Sequence, residues 1–176
     1  MTKRRVSLVV FLVLCALCVI HALYFYPQLP DKVASHFGPS GQPDAWSSKA
    51  SFVTFYMIAA GALAILFLGI SFGMSKIPLS LVNLPNKDYW LSPERKRETF
   101  DFIFNYLLWF ASATFVFLIV IIHQSFRVHL GKAKSLEYPM LSVGIYIVFT
   151  ILWCIGLYLK FCKKKELKPS DSPDSE

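Results

Sequence analysis

Charged residues are scarce in this chain and are absent from long parts of it. Only 16% of the 176 residues are Asp, Glu, Lys or Arg, whereas 55% are hydrophobic. None of the charged types occurs in residues 6–26, 52–72, 102–122 or 140–159. About twenty helical residues cover the roughly 30 Å of a bilayer's hydrocarbon core. Each stretch therefore predicts a transmembrane helix, and the composition excludes an ordinary soluble domain.

Cysteine is also rare, and the segments that connect the apolar stretches contain none. Cys15 and Cys18 lie in the first stretch, and Cys154 and Cys162 lie in or just beyond the fourth. This placement excludes a disulfide framework in the connecting loops. We interpret Cys15 and Cys18 as small residues that pack along a helix, not as a redox pair.

Several enzyme motifs are missing as well. The chain has no HExxH zinc motif, no phosphate-binding P-loop and no glycine-rich dinucleotide motif. His36 and Asp44 could form an acid–base pair, and Ser35 adjoins His36. Neighbouring side chains of an extended segment point to opposite faces, however, which disfavours a Ser35–His36 catalytic pair. We expect a protein that is not an enzyme and uses no cofactor.

The predicted fold class is all-α: an integral membrane four-helix bundle with a small ordered outer loop and an interfacial inner loop. Residues 1–162 form one four-span membrane domain, and residues 163–176 form a disordered cytoplasmic tail. Gly69 and Gly73, four residues apart on one helix face, predict close approach of a neighbouring helix.

The basic residues indicate how the chain is oriented. Of the 18 Lys and Arg residues, 13 lie before the first stretch, between the second and third, or after the fourth. By the positive-inside rule, both termini and the middle connection are cytoplasmic. The net charge of +7 then indicates attraction to an anionic inner leaflet, and we expect no nucleic-acid partner.

The first outer connection, residues 27–50, is the most distinctive part of the sequence. Gly38, Pro39, Gly41 and Pro43 predict turns between an extended piece and a returning one, so the loop should be ordered. Its reactive, charged and aromatic side chains are the candidate ligand- or partner-binding residues: Asp31, His36, Asp44, Trp46 and Lys49.

The inner connection between the second and third stretches is apolar and interrupted by proline. We expect it to lie at the headgroup level, where aromatic side chains act as interfacial anchors. The interfacial residues predicted there are Asn83, Pro85, Tyr89, Trp90, Pro93 and Arg95. Ser92 followed by Pro93 predicts a helix that begins near Pro93.

Two further patterns concern polar residues close to the ends of the spans. Asp101 and Asn105 share a helix face and predict an interhelical hydrogen-bond site near the inner interface. All four histidines fall on the predicted outer side, which makes them weak candidates for a metal or pH-sensing site: His21, His36, His123 and His129. Because no spacing such as HxxxH occurs, we favour no metal site.

A resemblance to a known family rests on both connections. The outer loop combines Leu29-Pro30, His36-Phe37, Gly41, Asp44, Trp46 and Lys49. This pattern resembles the bacterial domain-of-unknown-function family 1648, and residues 83–99 are similar to a stretch of its four-helix members. The resemblance implies a bacterial cytoplasmic (inner) membrane location. It also suggests immunity, because the module occurs in proteins resembling the one that protects sporulating bacilli from the sporulation-delay toxin.

Together these observations predict a non-enzymatic binding, sensing or immunity-type component that uses residues 27–50. The expected partners are the bilayer with its anionic inner leaflet, a peptide or membrane protein, and a second copy of the chain. Two alternatives stay open, namely an accessory subunit or a small carrier or channel component. A membrane enzyme is a weaker alternative.

Overall fold

The computed structural model describes residues 3–163 and is mainly helical. Its helices and strands follow in chain order as α1 Lys3–Phe25, β1 Lys32–Phe37, β2 Pro43–Ser48, α2 Lys49–Gly73, α3 Lys87–Trp90, α4 Lys96–His129 and α5 Pro139–Cys162. Among these described elements, α1, α2, α4 and α5 are long and apolar enough to cross a membrane. They coincide with the four predicted stretches. The chain is thus a multi-pass membrane protein, and the predicted all-α fold class is confirmed.

The bundle has two chemically different ends. One end carries the β1–β2 hairpin and residues 130–138, and we call it the hairpin end. The opposite end carries the start of α1, residues 74–95 and the end of α5. We call it the basic end because three clusters of Lys and Arg meet there: residues 3–5, 95–97 and 160–163.

Helices α1, α2 and α4 form the packed core. Phe11 of α1 and Phe115 of α4 are fully buried, with ring centroids 5.2 Å apart in an edge-to-face arrangement. Tyr56 and Ala60 of α2 are buried in the same cluster. Dispersion contacts of this kind are essential here, because lipid is as apolar as the side chains and gives helices no solvophobic reason to associate.

Helix α5 is attached to α4 chiefly by large aromatic side chains. The hydroxyl of Tyr106 donates a 2.7 Å hydrogen bond to the main-chain oxygen of Trp153. The Tyr106 ring also packs against the Trp153 ring. Thr114 and Tyr146 share a second 2.7 Å hydrogen bond. A Cβ at Gly156 would meet the Tyr106 hydroxyl at 3.0 Å, so a glycine fits this contact.

A polar cluster joins α1 to α4 near the basic end. Arg4 forms a 2.9 Å ion pair with Asp101, and its guanidinium lies 4.0 Å from the centre of the Phe104 ring. One turn further, Ser7 donates a 2.8 Å hydrogen bond to the side-chain oxygen of Asn105. The interhelical site predicted at Asp101 and Asn105 is therefore confirmed, and α1 is its partner.

Within the single chain, no described helix makes the close contact predicted at Gly69 and Gly73, and a second copy of the chain stays the other predicted partner. A Cβ built at either glycine meets no atom of the described residues within 4 Å. Helix α2 packs instead through a face that contains Tyr56 and Ala60. Because the helix is apolar on all sides, its sequence does not reveal which face is buried.

Helix α4 begins at Lys96, three residues after the predicted start. The main-chain oxygen of Ser92 accepts the amides of Arg95 at 3.0 Å and Lys96 at 2.9 Å. Residues 92–95 are therefore a turn that leads into the helix, and the helix start has no side-chain cap. The disordered tail predicted for residues 163–176 lies outside the described residues from position 164 onward.

The Ser7–Asn105 hydrogen bond should couple α1 to α4. In a double-mutant cycle of Ser7→Ala and Asn105→Ala, we expect a coupling free energy of about 0.6 kcal/mol, typical of such bonds in membranes. Steric-trap or denaturant unfolding in detergent micelles measures it. Ser7→Ala combined with Ser125→Ala is the control, because Ser125 bonds within its own helix. Equal coupling in both cycles would contradict the assignment.

Candidate functional site

The hairpin between α1 and α2 is an ordered antiparallel pair. Lys32 faces Ser48 and Ala34 faces Trp46, and the register shifts at His36, which marks a bulge. Bulges redirect side chains and are common next to functional sites. The predicted extended piece and its return through Trp46 are confirmed.

The turn of the hairpin depends on its glycines. The amide of Gly41 donates to the oxygen of Gly38 at 2.8 Å, and Gly41 has a φ of +80°. A side chain at this φ is strained, so glycine is the fitting residue. The predicted role of the Gly and Pro residues in forming turns is confirmed.

Asp31 and Lys49 close the base of the hairpin. The Lys49 ammonium lies 3.1 Å from the Asp31 carboxylate and donates a 3.2 Å hydrogen bond to the oxygen of Leu29. The amide of Lys49 also donates to the main-chain oxygen of Asp31 at 2.9 Å. Since the Lys49 side chain is only 25% exposed, this predicted contact residue has a structural role that joins the hairpin to the start of α2, whereas the Asp31 side chain is 98% exposed.

The back of the hairpin packs on the end of α4. Leu29 and Val33 are buried with Phe126, which is fully buried. The imidazole of His129 donates a 3.0 Å hydrogen bond to the main-chain oxygen of Ala34. These contacts hold the hairpin as a rigid extension of α4.

The tip of the hairpin docks on the second loop of this end. The amide of Leu136 donates a 2.9 Å hydrogen bond to the oxygen of Gly41. A Cβ at Gly41 would lie 2.5 Å from the Leu136 oxygen, well inside contact distance. The two loops therefore form one surface.

His36, Asp44 and Trp46 remain on the exposed side of this surface. His36 Nδ1 lies 2.6 Å from the Asp44 carboxylate, and the two side chains are 68% and 50% exposed. Trp46 is 55% exposed, although tryptophan is usually well buried. The Lys32 ammonium lies 6.0 Å from the centre of the Trp46 ring. This trio is not needed to hold the hairpin on α4, so it is available to contact a partner.

An open groove of about 580 Å³ adjoins the hairpin at His36, whereas Asp44 and Trp46 lie outside its lining. Its walls are the halves of α2 and α4 nearer the hairpin, including Phe55, Tyr56 and Ile121, and they are mainly apolar. His36 and Ser47 form its rim together with other hairpin residues. The groove therefore combines an apolar floor at membrane depth with a polar edge, a combination that suits an amphipathic ligand. We call it the hairpin groove.

The four histidines lie in three separate places. His21 and His123 are neighbours on α1 and α4, with ring nitrogens 3.3 Å apart. His129 contacts the Ala34 oxygen, and His36 contacts Asp44. Among the described residues, no group of three or more His, Cys, Asp or Glu side chains is placed to hold a metal ion.

Residues 69–73 read Gly-Ile-Ser-Phe-Gly and so match the GxSxG pattern of serine hydrolases. In those enzymes the serine sits at a sharp turn between a strand and a helix. Here the pattern lies inside the continuous helix α2, and Ser71 is buried. The pattern therefore lacks the structural context that the chemistry needs.

Comparison with known proteins supports the family resemblance for the hairpin region. Residues 13–61 match the family model described as Domain of unknown function (DUF1648). The matched segment runs from within α1 through the hairpin into α2. No curated protein and no solved structure matches the chain. The DUF1648 segment thus includes the whole hairpin and part of the groove.

Sequence reasoning missed the supports of the hairpin. Phe126, His129 and Leu136 lie far along the chain, and their contacts with the hairpin have no local signature. One signal was present: Gly41 in a proline-containing loop indicates a position where the chain turns tightly or where another backbone approaches closely.

Replacing Gly41 should detach the hairpin tip. Gly41→Ala combines a strained φ with a collision against Leu136, whereas Gly131→Ala at φ +68° has open space among the described residues. A positive φ alone costs about 1 kcal/mol, and we expect Gly41→Ala to lower the free energy of unfolding by more than that. We also expect it to expose residues 38–43 to proteolysis. Thermal unfolding and limited proteolysis in nanodiscs measure both effects. Equal effects of the two variants would show that the docking contact is unimportant.

Proposed function

We propose that the chain is a membrane-anchored, non-enzymatic binding protein whose hairpin end recognises an amphipathic, membrane-inserting peptide outside the cell. The observation that carries the proposal is the hairpin groove, where an apolar floor meets the exposed His36, whose ring is paired with Asp44. Trp46 is exposed on the hairpin beside the groove. Sensing or immunity would both use such binding. The orientation assumed is the one that the basic residues predict.

The architecture of the hairpin supports this proposal. A binding site works best when its side chains stand on a rigid support. Asp31 and Lys49 fasten the base of the hairpin, and Gly41 fastens its tip. The exposed trio is therefore preorganised, so binding loses little free energy to the ordering of a flexible loop.

The chemistry of the surface indicates the kind of partner. An amphipathic helix can insert its apolar face against Phe55 and Ile121 while its polar side reaches the His36–Asp44 pair. Trp46 offers a large exposed aromatic surface, which is the residue type that most often dominates binding energy at interfaces. The suggested relation to toxin-immunity proteins agrees with a peptide of this class.

Photocrosslinking tests the groove directly. We would place a photoreactive amino acid at Phe55 in the groove or at Ile145 on α5, in the full chain in proteoliposomes, and add a panel of amphipathic helical peptides. Phe55 and Ile145 are both well exposed, and each lies equally far from the hairpin-end start of its helix. We expect saturable peptide adducts at position 55 only. Equal labelling at both positions would indicate nonspecific partition into lipid and would overturn the proposal.

Trp46 lies outside the groove lining and should contact the part of the peptide that extends over the hairpin. For a peptide captured at position 55, we expect Trp46→Ala to weaken binding about 30-fold, the size typical of a buried aromatic anchor. Tyr24→Ala is the matched control, because Tyr24 is an aromatic residue of α1 that is 65% exposed near the same end. Microscale thermophoresis in nanodiscs measures both affinities. If the two variants bind alike, Trp46 does not belong to the site.

The carrier alternative predicts a different result. Ion or solute flux in the same proteoliposomes, without peptide capture, would favour a small carrier or channel component. Turnover that is lost on His36→Ala would favour an enzyme.

A further inference from the structure

A second cavity lies at the basic end, far from the hairpin. It has a volume of about 660 Å³ and lies between the end of α5 and the segment from α3 to the first turns of α4. Trp90, Phe102 and Lys160 form part of its wall. We propose that this cavity binds the phosphate-bearing headgroup of an anionic phospholipid.

The cavity carries an excess of positive charge. Arg95, Lys160 and Lys163 line it, against the single carboxylate of Glu98 among the described lining residues. Arg95 lies over the ring of Tyr89 at 4.1 Å, and Lys160 lies 5.0 Å from the ring centre of Trp90. Within residues 3–163, neither cation has a carboxylate partner within ion-pair distance. Aromatic faces orient these cations but do not neutralise them.

The end of α5 would ordinarily repel an anion, because the last carbonyl groups of a helix carry partial negative charge. Here two of those groups already have donors. The amide nitrogen of Asn86 donates to the oxygens of Phe161 and Cys162 at 3.0 Å each, and the indole of Trp90 donates to the Phe161 oxygen at 2.9 Å. The negative end of α5 is thus capped by neutral donors, and the lysines are left for an external ligand.

The position of the cavity selects a lipid as the source of the phosphate. Lys160 also lies 5.5 Å from the ring centre of Phe102, which belongs to the apolar part of α4. A headgroup bound beside Lys160 can therefore place its acyl chains along α4 and α5 in the bilayer. Tryptophan residues such as Trp90 are typical of the interfacial depth where headgroups lie. Basic pockets between transmembrane helices on the cytoplasmic side are known to hold anionic headgroups.

The cavity is also rigid enough to be selective. The hydroxyl of Thr99 donates to the main-chain oxygen of Trp90 at 2.8 Å, which fixes α3 against α4. Trp90 and Phe161 pack edge to face with ring centres 5.4 Å apart, which fixes α3 against α5. A bound headgroup would therefore lie against a fixed wall and add a further contact between α5 and the segment from α3 to α4.

The test compares two lysines at the same end. Lys160→Met removes a charge from the cavity wall, whereas Lys76→Met removes one from the basic end outside the cavity. Native mass spectrometry of the full chain, titrated with phosphatidylglycerol or phosphatidylcholine, measures lipid retention. We expect Lys160→Met to lower the preference for phosphatidylglycerol about fivefold, the size of one lysine contact, and Lys76→Met to change it less than twofold.

Each other outcome has a defined meaning. Equal losses in the two variants would show attraction to general surface charge and would overturn the site. Competition by millimolar inorganic phosphate, with no dependence on the acyl chains, would overturn the assignment of a lipid ligand and would indicate a site for free phosphate. Should Lys160→Met not fold, Arg95→Met serves as the second cavity variant, and unchanged lipid preference there would overturn the proposal equally.

Discussion

Helix α4 is the support on which the other elements are assembled. With 34 residues it is longer than the about twenty that a bilayer needs, and its extra turns carry contacts at both ends. Helices α1 and α2 pack along it, α5 is attached through its aromatic side chains, and the hairpin rests on its last turns. A single long helix therefore fixes the distance between the hairpin groove and the basic end.

The lipid environment explains how these contacts are distributed. Since lipid replaces apolar contacts almost without cost, helices associate through close packing and through a few hydrogen bonds. The α1–α4 pair uses both, with Phe11 against Phe115 in the middle and Ser7 with Asn105 near one end. The α4–α5 pair relies on aromatic rings and the Tyr106 hydroxyl, which span a wider separation. This difference makes α5 the helix whose position depends most on what surrounds it.

The sequence predicted those features that have a local or compositional signature. Hydropathy located the four spans, and the glycines and prolines of residues 38–43 located the hairpin turn. The spacing of Asp101 and Asn105 indicated an interhelical site, but the pattern did not identify Ser7 and Arg4 as the partners. Apolar helices lack the polar face that would reveal which side is buried. For this reason, neither the outward position of Gly69 nor the aromatic attachment of α5 was predictable.

Long-range contacts of loops were equally hidden in the sequence. Asn86 caps the end of α5 from a position 75 residues earlier in the chain, and Leu136 receives the hairpin tip from the other side of α4. The expected contact set illustrates the consequence. Its five members look alike in the sequence, but the structure buries most of the Lys49 side chain and leaves the other four exposed, namely Asp31, His36, Asp44 and Trp46.

The two ends of the bundle are stabilised in the same way but present different chemical groups to a partner. In each, main-chain groups obtain partners within the protein, through His129 at one end and Asn86 at the other. Side chains are thereby left facing outward. At the hairpin end the exposed aromatic ring of Trp46 lies on the same hairpin as the hydrogen-bonded His36–Asp44 pair, so shape and apolar contact should dominate recognition. At the basic end, Arg95 and Lys160 rest on aromatic rings and have no carboxylate within ion-pair distance among the described residues, so recognition should depend on charge and on salt. The two proposed ligands, an amphipathic peptide and an anionic headgroup, follow from this difference.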